Sequence, residues 1–476
     1  MNSKEFRNEA HRFVDWMADY LEKVEDFPVK SQVKPGYLNP QIPGSPPEKP
    51  ELMQEIFTDF QKIILPGITH WQSPNFFAYF PANSSYPSVL AEMLTSTLAT
   101  QCMIWETSPA AAELEEKMMN WLKQMTKLPA HFHGVIQDTA STATLVALLT
   151  ARERSTDFKI NKTGLENSKF RIYTSSQGHS SIDKAVKIAG FGLDNLVKVS
   201  VDDQFRLDTN ALRQAVESDI KNGFKPLCVV ATLGTTSSTA IDPIEEISKI
   251  TTRFNIWLHV DAALAGTSLI LEENRWMIKG IENVDSLVFN PHKWMFTNFD
   301  CSAYFVKDKD SLIRTFAISP EYLKTRTQGQ VNDYRDWGIQ LGRRFRALKL
   351  WFVIRSFGVE GLKKKIAYHI ELAKNFESKI IESVYFEMLA PRTLNLVCFR
   401  FKLPHIQDET ILNQINEKLL NAINSTGKIY LTHTKLNEKY TLRMVIGQTN
   451  VAEKHVEQAW EIINDCAARL VNELSP

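Results

Sequence analysis

The sequence predicts an α/β protein built on a mainly parallel sheet sandwiched by helices. Between about residues 85 and 360, short apolar runs without polar alternation are separated by helical stretches. Such runs are typical of parallel strands that are buried on both faces. Polar residues directly follow several of the runs, where ligands bind in open parallel sheets. The predicted strands are 170–174, 227–232, 256–260, 286–289 and 302–306.

The N-terminal region predicts a helix that stands apart from the sheet. Apolar residues recur with a helical period from Phe6 to Val24. Seven prolines follow between Phe27 and Glu51, and their missing amide hydrogens exclude regular structure there. An apolar helix face on an extended arm needs a surface to cover, and a second copy of the chain is one candidate. We therefore expect residues 1–84 to form a helical dimerisation arm.

The rest of the chain is expected to form two further domains. With 476 residues, of which 43% are hydrophobic, it is long enough for more than one core. Residues 85–360 carry the predicted parallel sheet as a large domain. After Gly361 the pattern becomes helix, strand, helix, strand, strand, helix, which predicts a small α+β domain over residues 361–476.

Composition argues against several classes of function. The 55 lysines and arginines balance 55 acidic residues, so the charge does not favour nucleic acid or an anionic membrane as a partner. The five cysteines are far apart and form no C-x-x-C pair, which is typical of buried thiols in a reducing compartment. The charged N-terminus is unlike a signal peptide, and no apolar run of about 18 residues is present. We expect a cytoplasmic protein.

A carboxylate and a lysine follow two of the predicted strands. Asp261 ends the run 256–260, and the run 286–289 leads into Asn290, His292 and Lys293. Taken alone, the acid suits a helix cap and the lysine a solvated surface charge. Together they suit pyridoxal 5'-phosphate, which requires a lysine for its imine and an acid that keeps its pyridine nitrogen protonated. The pair therefore predicts a site for this cofactor.

Other strand ends supply further groups that this cofactor requires. His179 follows a predicted strand and suits stacking on the pyridine ring, although an isolated histidine is more often an ordinary hydrogen-bonded residue. Thr139, Ala140 and Ser141 stand just before a predicted helix that begins at Leu145, where amides and hydroxyls either bind a phosphate or only cap the helix. The turn after strand 227–232 offers more hydroxyls near the ring.

The ordered set of motifs resembles the group II pyridoxal-phosphate decarboxylases. Within that group, the chain is most similar to the aromatic-L-amino-acid decarboxylases. The resemblance runs from the N-terminal helices to the last helix, and the set is far more specific than any one motif. The motifs are FFAYFP at 76–81, QGHSS at 177–181, ATLGTTS at 231–237, HVDAA at 259–263, NPHKW at 290–294 and DYRDW at 333–337.

The resemblance implies a fold type I homodimer that uses pyridoxal 5'-phosphate to convert an aromatic L-amino acid to an arylalkylamine and carbon dioxide. It implies that Lys293 forms an imine with the cofactor, that Asp261 pairs with the pyridinium nitrogen and that His179 stacks on the ring. Tyr322, in a PEYLK loop motif, is implied to protonate Cα after carbon dioxide departs. The other implied cofactor-binding residues are Thr139, Ala140, Ser141, Thr236, Asn290, His292 and Gly342.

The resemblance also implies an aromatic substrate pocket, in which the missing side chain of Gly342 leaves room for larger rings. Two lining residues stand where animal relatives carry apolar and aromatic side chains, so the preferred substrate is left open. Asp138 departs from the family's usual Gly-Ser-Ala-Ser-Glu motif, and its charge leaves the details of phosphate contact open. The implied lining residues are Trp71, Tyr79, Phe80, Pro81, Gln101 and Met103, the last two being the departures.

Two rival functions are weighed against the decarboxylase. Aldehyde synthases on the same scaffold, which release aldehyde, ammonia and peroxide, typically replace the loop tyrosine by phenylalanine or the stacking histidine by asparagine. Tyr322 and His179 therefore favour decarboxylation. A metal hydrolase would use His131 and His133, but we expect these in a loop with no third ligand nearby, so no metal site is predicted.

Overall fold

The computed structural model describes residues 1–165, 168–318 and 330–474, with side chains described as far as residue 472. Contacts group the chain into two compact units. The larger unit comprises residues 82–373 and 390–397, and the smaller unit comprises residues 1–81, 374–389 and 398–476. The N-terminal residues therefore share a unit with most of the C-terminal residues. Their expected role in dimerisation stays a prediction.

Both units contain helices, and in most of the larger unit the helices alternate with strands. Their bounds are α1 (Ser3–Glu22), α2 (Met53–Asp59), α3 (Tyr86–Leu98), α4 (Pro109–Thr126), α5 (Ala140–Ser155), α6 (Ile160–Thr163), α7 (Ser180–Ile188), α8 (Thr209–Lys221), α9 (Ile244–Phe254), α10 (Pro291–Trp294), α11 (Lys309–Phe316), α12 (Arg346–Glu382), α13 (Glu409–Ser425) and α14 (Glu453–Leu474).

A seven-stranded sheet forms the centre of the larger unit. The strands are β1 (His133–Gln137), β2 (Phe170–Ser175), β3 (Leu196–Val199), β4 (Lys225–Thr232), β5 (Trp257–Asp261), β6 (Ser286–Phe289) and β7 (Ser302–Val306). Their order is β1-β7-β6-β5-β4-β2-β3. Within this order, the five neighbouring strands β6-β5-β4-β2-β3 pair in parallel. Strand β7 runs antiparallel to both of its neighbours, β1 and β6. The predicted α/β class with a mainly parallel sheet is confirmed.

Two strands of this sheet were missed by the sequence analysis. β1 begins with His133 and Gly134, and β3 is only four residues long, so neither shows the continuous apolar run of the central strands. His133 therefore lies in a strand, and the expectation that it lies in a loop was wrong. In the described parts of the chain, no group of three His, Cys, Asp or Glu residues is arranged to hold a metal ion.

Helix α5 packs directly on the sheet. It contacts the four strands β4 to β7, and Ala143, Val146, Ala147 and Leu148 are fully inaccessible. Their small or compact side chains let the helix approach the strands closely, which buries both surfaces from water. Helices α8 and α9 pack on β3, β4 and β5. The N-terminal end of α5 is thereby fixed just beyond the carboxyl end of β1.

The smaller unit contains a second sheet of four strands. These are β8 (Phe386–Met388), β9 (Leu396–Phe401), β10 (Thr432–Leu436) and β11 (Lys439–Val445), in the order β10-β11-β9-β8. Aromatic side chains pack between this sheet and the helices, with Phe376 and Phe386 both in contact with Phe399 and Trp460. The C-terminal pattern of helices and strands was predicted, except for the short strand β8.

The N-terminal helix is confirmed as α1, and Asn2 begins it with a capping box that includes Glu5. In the proline-rich stretch that follows, the regular element described is a 3-10 turn at Asn39–Gln41. All five cysteines are buried thiols that form no disulfide, as expected. Among the described helices, none combines the length and apolar character that a membrane crossing requires.

Two buried histidines stabilise the interior of the larger unit as hydrogen-bonding groups. His369 on α12 accepts a hydrogen bond at Nδ1 from Trp294 Nε1, 3.0 Å away, and burial lowers its pKa to about 3. His259 on β5 lies between the hydroxyls of Thr144 and Ser286, and burial lowers its pKa to about 4. Both rings are therefore neutral at neutral pH.

The depressed pKa of His369 predicts that the protein loses stability in mild acid. The unfolded chain binds a proton at a pKa near 6.5 whereas the folded chain does not, so stability falls as the pH falls from about 6.5 toward 3. The loss due to this one ring is about 2 kcal/mol at pH 5. In urea titrations at pH 7.5 and 5, His369→Gln should lose about that much less stability than the unmodified protein, while the exposed His11→Gln should not differ from it. An identical pH dependence in the His369 variant would contradict this account.

Candidate active site

Asp261 lies at the carboxyl edge of the central sheet. It is the last residue of β5 and pairs in register with Thr232 of β4 and Val288 of β6. The carboxylate is 5% exposed, and its Oδ1 accepts a hydrogen bond from the Ala263 amide at 3.1 Å. Its Oδ2 has no hydrogen-bond partner within the described residues, so this oxygen is available for a ligand.

Lys293 follows the neighbouring strand β6 and lies in the short helix α10. The Asn290 amide donates to Ala263 O at 3.0 Å, and the Lys293 amide donates to Asn290 O at 2.9 Å. Asn83 holds the same turn, because its side-chain amide donates to Lys293 O at 2.7 Å. The lysine and the acid are thus placed by the backbone of two adjacent parallel strands.

The surroundings of Lys293 favour its neutral form. Burial lowers the pKa of this amine, and the negative charge of Asp261 only partly opposes that effect. A larger neutral fraction makes the amine a better nucleophile.

His179 is the N-cap residue of α7. Its Nδ1 accepts a hydrogen bond from the Ser181 amide at 3.1 Å and lies 2.8 Å from the Ser181 hydroxyl. Partial burial lowers the pKa of the ring, Asp261 raises it and Lys293 lowers it further. The charges of both site residues therefore act on His179, and these three predicted residues lie close together. A neutral ring with Nδ1 as acceptor carries its proton on Nε2.

The N-terminus of α5 presents two unbonded amides. Thr139 is the N-cap, and its Oγ1 accepts from the Thr142 amide at 3.3 Å. The amides of Ala140 and Ser141 donate to no described residue. The helix begins five residues earlier than Leu145, where the sequence analysis expected it, so these amides belong to its first turn. Free first-turn amides and the helix dipole favour an anion here.

Asn290 and His292 add two side-chain donors. Asn290 Oδ1 lies 2.8 Å from Ser302 Oγ, which also lies 3.1 Å from Asp138 O beside the start of α5. With Oδ1 engaged, the NH2 end of Asn290 is left to donate. His292 Nδ1 accepts from the Cys301 amide at 3.0 Å, and burial, assisted by Lys293, lowers its pKa to about 3. The ring is neutral and donates through Nε2.

Asp138 is not the helix cap. Its Oδ1 accepts from the Thr139 amide at 2.6 Å, and its Oδ2 accepts from Gln340 Nε2 at 3.3 Å. Asp138 is also among the charges that raise the pKa of Arg346, so a cation is near enough to offset its charge. The carboxylate is therefore turned toward its own backbone and Gln340, and Gln340 is a neighbour that the sequence alone did not reveal.

Thr236 is partly exposed in a tight turn after β4. The turn is closed by the Thr239 amide, which donates to Thr235 O at 2.8 Å, and by the Ala240 amide, which donates to Thr235 Oγ1 at 3.1 Å. At the end of β4, Thr232 Oγ1 is buried without a hydrogen-bond partner in the described structure. Because Thr232 pairs in register with Asp261, this hydroxyl borders the site.

Gln101, Met103 and Gly342 also belong to the larger unit. The Arg343 amide donates to Gln101 Oε1 at 2.7 Å, and the Arg335 amide donates to Met103 O at 2.9 Å. The segment with Gln101 and Met103 is thus paired with the segment around Gly342, as a shared pocket wall requires.

The remaining predicted pocket residues lie in the smaller unit. The rings of Trp71 and Tyr79 stack with centroids 5.7 Å apart, and the Tyr79 hydroxyl lies 3.3 Å from that of Tyr430. The Arg443 guanidinium lies 5.6 Å from the centre of the Phe80 ring. Tyr430 and Arg443 were not singled out from the sequence, since a tyrosine or an arginine in a strand-rich region carries no motif.

Pro81 ends the same segment of the smaller unit. Tyr322, the predicted proton donor, lies outside the described residues.

The arrangement fits pyridoxal 5'-phosphate. A lysine with a depressed pKa and a buried acid stand on adjacent strand ends, which suits an aldehyde and a pyridinium nitrogen. Two helix amides with the donors of Asn290 and His292 suit a phosphate. These features define a cofactor-dependent enzyme of fold type I.

Comparison with known proteins agrees with this class. The family model for the pyridoxal-dependent decarboxylase conserved domain matches residues 35–402. The chain belongs to this family of pyridoxal-dependent decarboxylases, and the predicted family, cofactor and carboxy-lyase activity are confirmed.

Three similar proteins cover almost the whole chain. Phenylacetaldehyde synthase of Arabidopsis thaliana is 45% identical over 482 residues, with 99% of this chain and 98% of that protein covered. Aromatic-L-amino-acid decarboxylase of Mus musculus is 44% identical over 487 residues, with 99% of each covered. The crystal structure of Oryza sativa TDC with PLP and tryptamine is 36% identical, with 99% of each chain covered and a TM-score of 0.96.

Because Gly266 packs closely against Phe289, we expect that a larger residue at position 266 will disturb the site. A Cβ added to Gly266 would lie 2.3 Å from Phe289 Cβ, so Gly266→Ala should displace the end of β6 just before Asn290. We expect a loss of about 1–3 kcal/mol in stability, seen as a lower melting temperature, together with lower cofactor content. Gly67→Ala is the matched control, because no atom lies within 4 Å of its added Cβ. Equal melting temperatures for the two variants would refute the steric argument.

Proposed function

We propose that this enzyme decarboxylates an aromatic L-amino acid to the corresponding arylalkylamine and carbon dioxide, with its cofactor bound covalently at Lys293. The observation that carries the proposal is the pairing of Asp261 and Lys293 on adjacent parallel strand ends beside the free amides of α5. The named relatives, which include an aromatic-L-amino-acid decarboxylase, support the substrate class.

Each residue has a separate task in this proposal. When bound, pyridoxal phosphate withdraws electrons from the substrate Cα and so stabilises the charge left when carbon dioxide departs. Asp261 keeps the pyridine nitrogen protonated through its free Oδ2. His179 stacks on the ring and excludes water from one face, and Thr236 lies close to it. The phosphate is held by Ala140 and Ser141 after the Thr139 cap, with Asn290 and His292, and Gly342 is a further cofactor-binding residue.

Tyr322 is proposed to deliver a proton to the substrate Cα after carbon dioxide has left, as its match to the family loop motif implies. Fast protonation matters because oxygen that reached the same carbon would divert the reaction to aldehyde, ammonia and peroxide. The ring of the substrate is proposed to lie among aromatic and polar side chains. These are Trp71, Tyr79, Phe80, Pro81, Gln101 and Met103.

We also propose that the enzyme is a cytoplasmic homodimer. Four apolar side chains on one face of α3 support a partner surface, since they recur every four residues and are 46–59% exposed in the single chain. The apolar face of α1, in the proposed arm, is a second candidate surface. Five buried thiols that form no disulfide suit a reducing compartment. The exposed residues of α3 are Tyr86, Leu90, Leu94 and Leu98.

An aldehyde synthase is the second candidate function. A relative with 45% identity is named phenylacetaldehyde synthase, so overall similarity does not separate the two reactions. Tyr322 and His179 favour the decarboxylase, because aldehyde synthases on the same scaffold typically change one of these two residues.

The role of Lys293 predicts the behaviour of Lys293→Ala. Without the amine, the purified protein should lose the visible absorbance of bound cofactor, and carbon dioxide release from tyrosine, dopa, phenylalanine and tryptophan should fall by orders of magnitude. Lys187→Ala, at the end of α7, is the control and should retain both properties. A Lys293 variant with normal absorbance and activity would refute the assignment.

The role of Tyr322 predicts a change in products rather than a simple loss of activity. In Tyr322→Phe, the proton arrives late and oxygen competes, so aldehyde and peroxide should rise relative to amine. Amine, aldehyde and peroxide are measured in the same reaction under air. If the variant forms amine at the unmodified rate without peroxide, Tyr322 is not the proton donor.

A further inference from the structure

Gln101 lies beside the carboxyl edge of the large sheet, on the same side as the cofactor-binding residues. The chain after the 3-10 turn at Tyr334–Trp337 runs along the carboxyl end of β1. Gln137 Nε2 donates to Trp337 O at 3.0 Å, Gln340 donates to Asp138, and Arg343 Nη2 donates to Ile136 O at 3.1 Å. Gln101 is paired with this segment through Arg343. It therefore borders the start of α5, where the phosphate site is proposed.

The orientation of the Gln101 side chain is fixed by a backbone donor. The Arg343 amide donates to Gln101 Oε1 at 2.7 Å, and the Cys102 amide donates in return to Arg343 O at 3.0 Å. Because a backbone N–H can only donate, the side-chain oxygen must face Arg343. The NH2 group at Nε2 must therefore point away from it.

Arg343 is itself rigidly held. Its guanidinium is buried and pairs with Glu115, and it donates to the carbonyls of Ile136 and Tyr334. Glu115 is fixed in turn, since its Oε1 accepts from the Ile136 amide at 2.8 Å. This buried ion pair and its two carbonyl contacts leave little freedom to the backbone that orients Gln101.

The donor end of Gln101 faces open space. Nε2 makes no hydrogen bond to any described residue, and the side chain is exposed. A Cβ added to Gly342 would lie 3.3 Å from Nε2, so the missing side chain at Gly342 leaves the space beside the amide empty. An oriented donor next to such a space is suited to a ligand acceptor.

We infer that Gln101 is a specificity-determining residue, which donates a hydrogen bond from Nε2 to a hydroxyl oxygen on the aromatic ring of the substrate. The inference rests on the proposed function and narrows its substrate class to ring-hydroxylated amino acids. The rings of tyrosine and dopa carry such an acceptor, the phenyl ring carries none, and the indole nitrogen only donates. Gln101 therefore favours phenolic and catecholic substrates over phenylalanine and tryptophan.

The hydrogen bond from Gln101 should raise kcat/KM only for substrates that carry a ring hydroxyl, and not for every aromatic substrate. A neutral hydrogen bond contributes about 1 kcal/mol, which corresponds to about fivefold in kcat/KM. Met103, two residues further along the same segment, has a flexible apolar side chain that adapts to different ring shapes. The preference should accordingly appear as a ratio between substrates that differ only in the ring hydroxyl.

The test compares L-tyrosine with L-phenylalanine in the enzyme loaded with its cofactor. Gln101→Glu keeps an oxygen for the Arg343 amide but removes the donor, and Gln101→Leu removes both. In each variant, the ratio of kcat/KM for tyrosine to that for phenylalanine should fall about three- to tenfold. Gln124→Glu, on the exposed side of α4, should leave the ratio unchanged.

A purely structural role would lower kcat/KM for both substrates equally, and that result would overturn the inference. An unchanged ratio in both Gln101 variants would overturn it as well, while the proposed function would stand if the unmodified enzyme releases carbon dioxide from both substrates. If the unmodified enzyme releases no carbon dioxide from any aromatic amino acid with added pyridoxal phosphate, the proposed function fails and the inference fails with it.

Discussion

The parallel pairing of β4, β5 and β6 is the constraint on which the site depends. In this register the last residues of β4 and β5, Thr232 and Asp261, are paired directly, and β6 delivers the next turn to the same edge. Parallel strands require crossover helices, and those helices bury both faces of the sheet. Polar side chains are therefore accessible to a ligand only at the ends of these buried strands. The acid, the lysine and the phosphate donors are brought together by that geometry.

Burial then sets the charge state of the site. Removal from water depresses the pKa of Lys293 and of His292, so the amine is more often nucleophilic and the imidazole is a neutral donor. The proposed phosphate donors are neutral groups, namely the first-turn amides of α5 and the side chains of Asn290 and His292. Fixed neutral donors at a helix N-terminus suit a dianion.

The sequence alone predicted an element correctly where its residue pattern fits only one kind of structure. The apolar runs predicted the central strands within one or two residues, because buried parallel strands tolerate no polar alternation. It failed where contacts distant in sequence decide the structure. Strand β1 carries few apolar residues and is recruited by pairing with β7, and α5 begins at Ala140 because Thr139 caps it. The partners of Asp138 and Gln101 lie about 200 and 240 residues away, and a single sequence gives no indication of such pairs.

The central claim is that Lys293 is the one covalent attachment point of the cofactor, oriented by the acid on the adjacent strand. It is tested most directly by borohydride reduction of the enzyme loaded with pyridoxal phosphate, followed by proteolysis and mass spectrometry of the lysine-containing peptides. We predict one reduced pyridoxyl-phosphate adduct per chain, located on Lys293 in the peptide that contains Asn290 to Trp294. An adduct on another lysine with Lys293 unmodified, or no adduct in protein that is active and coloured, would contradict the account.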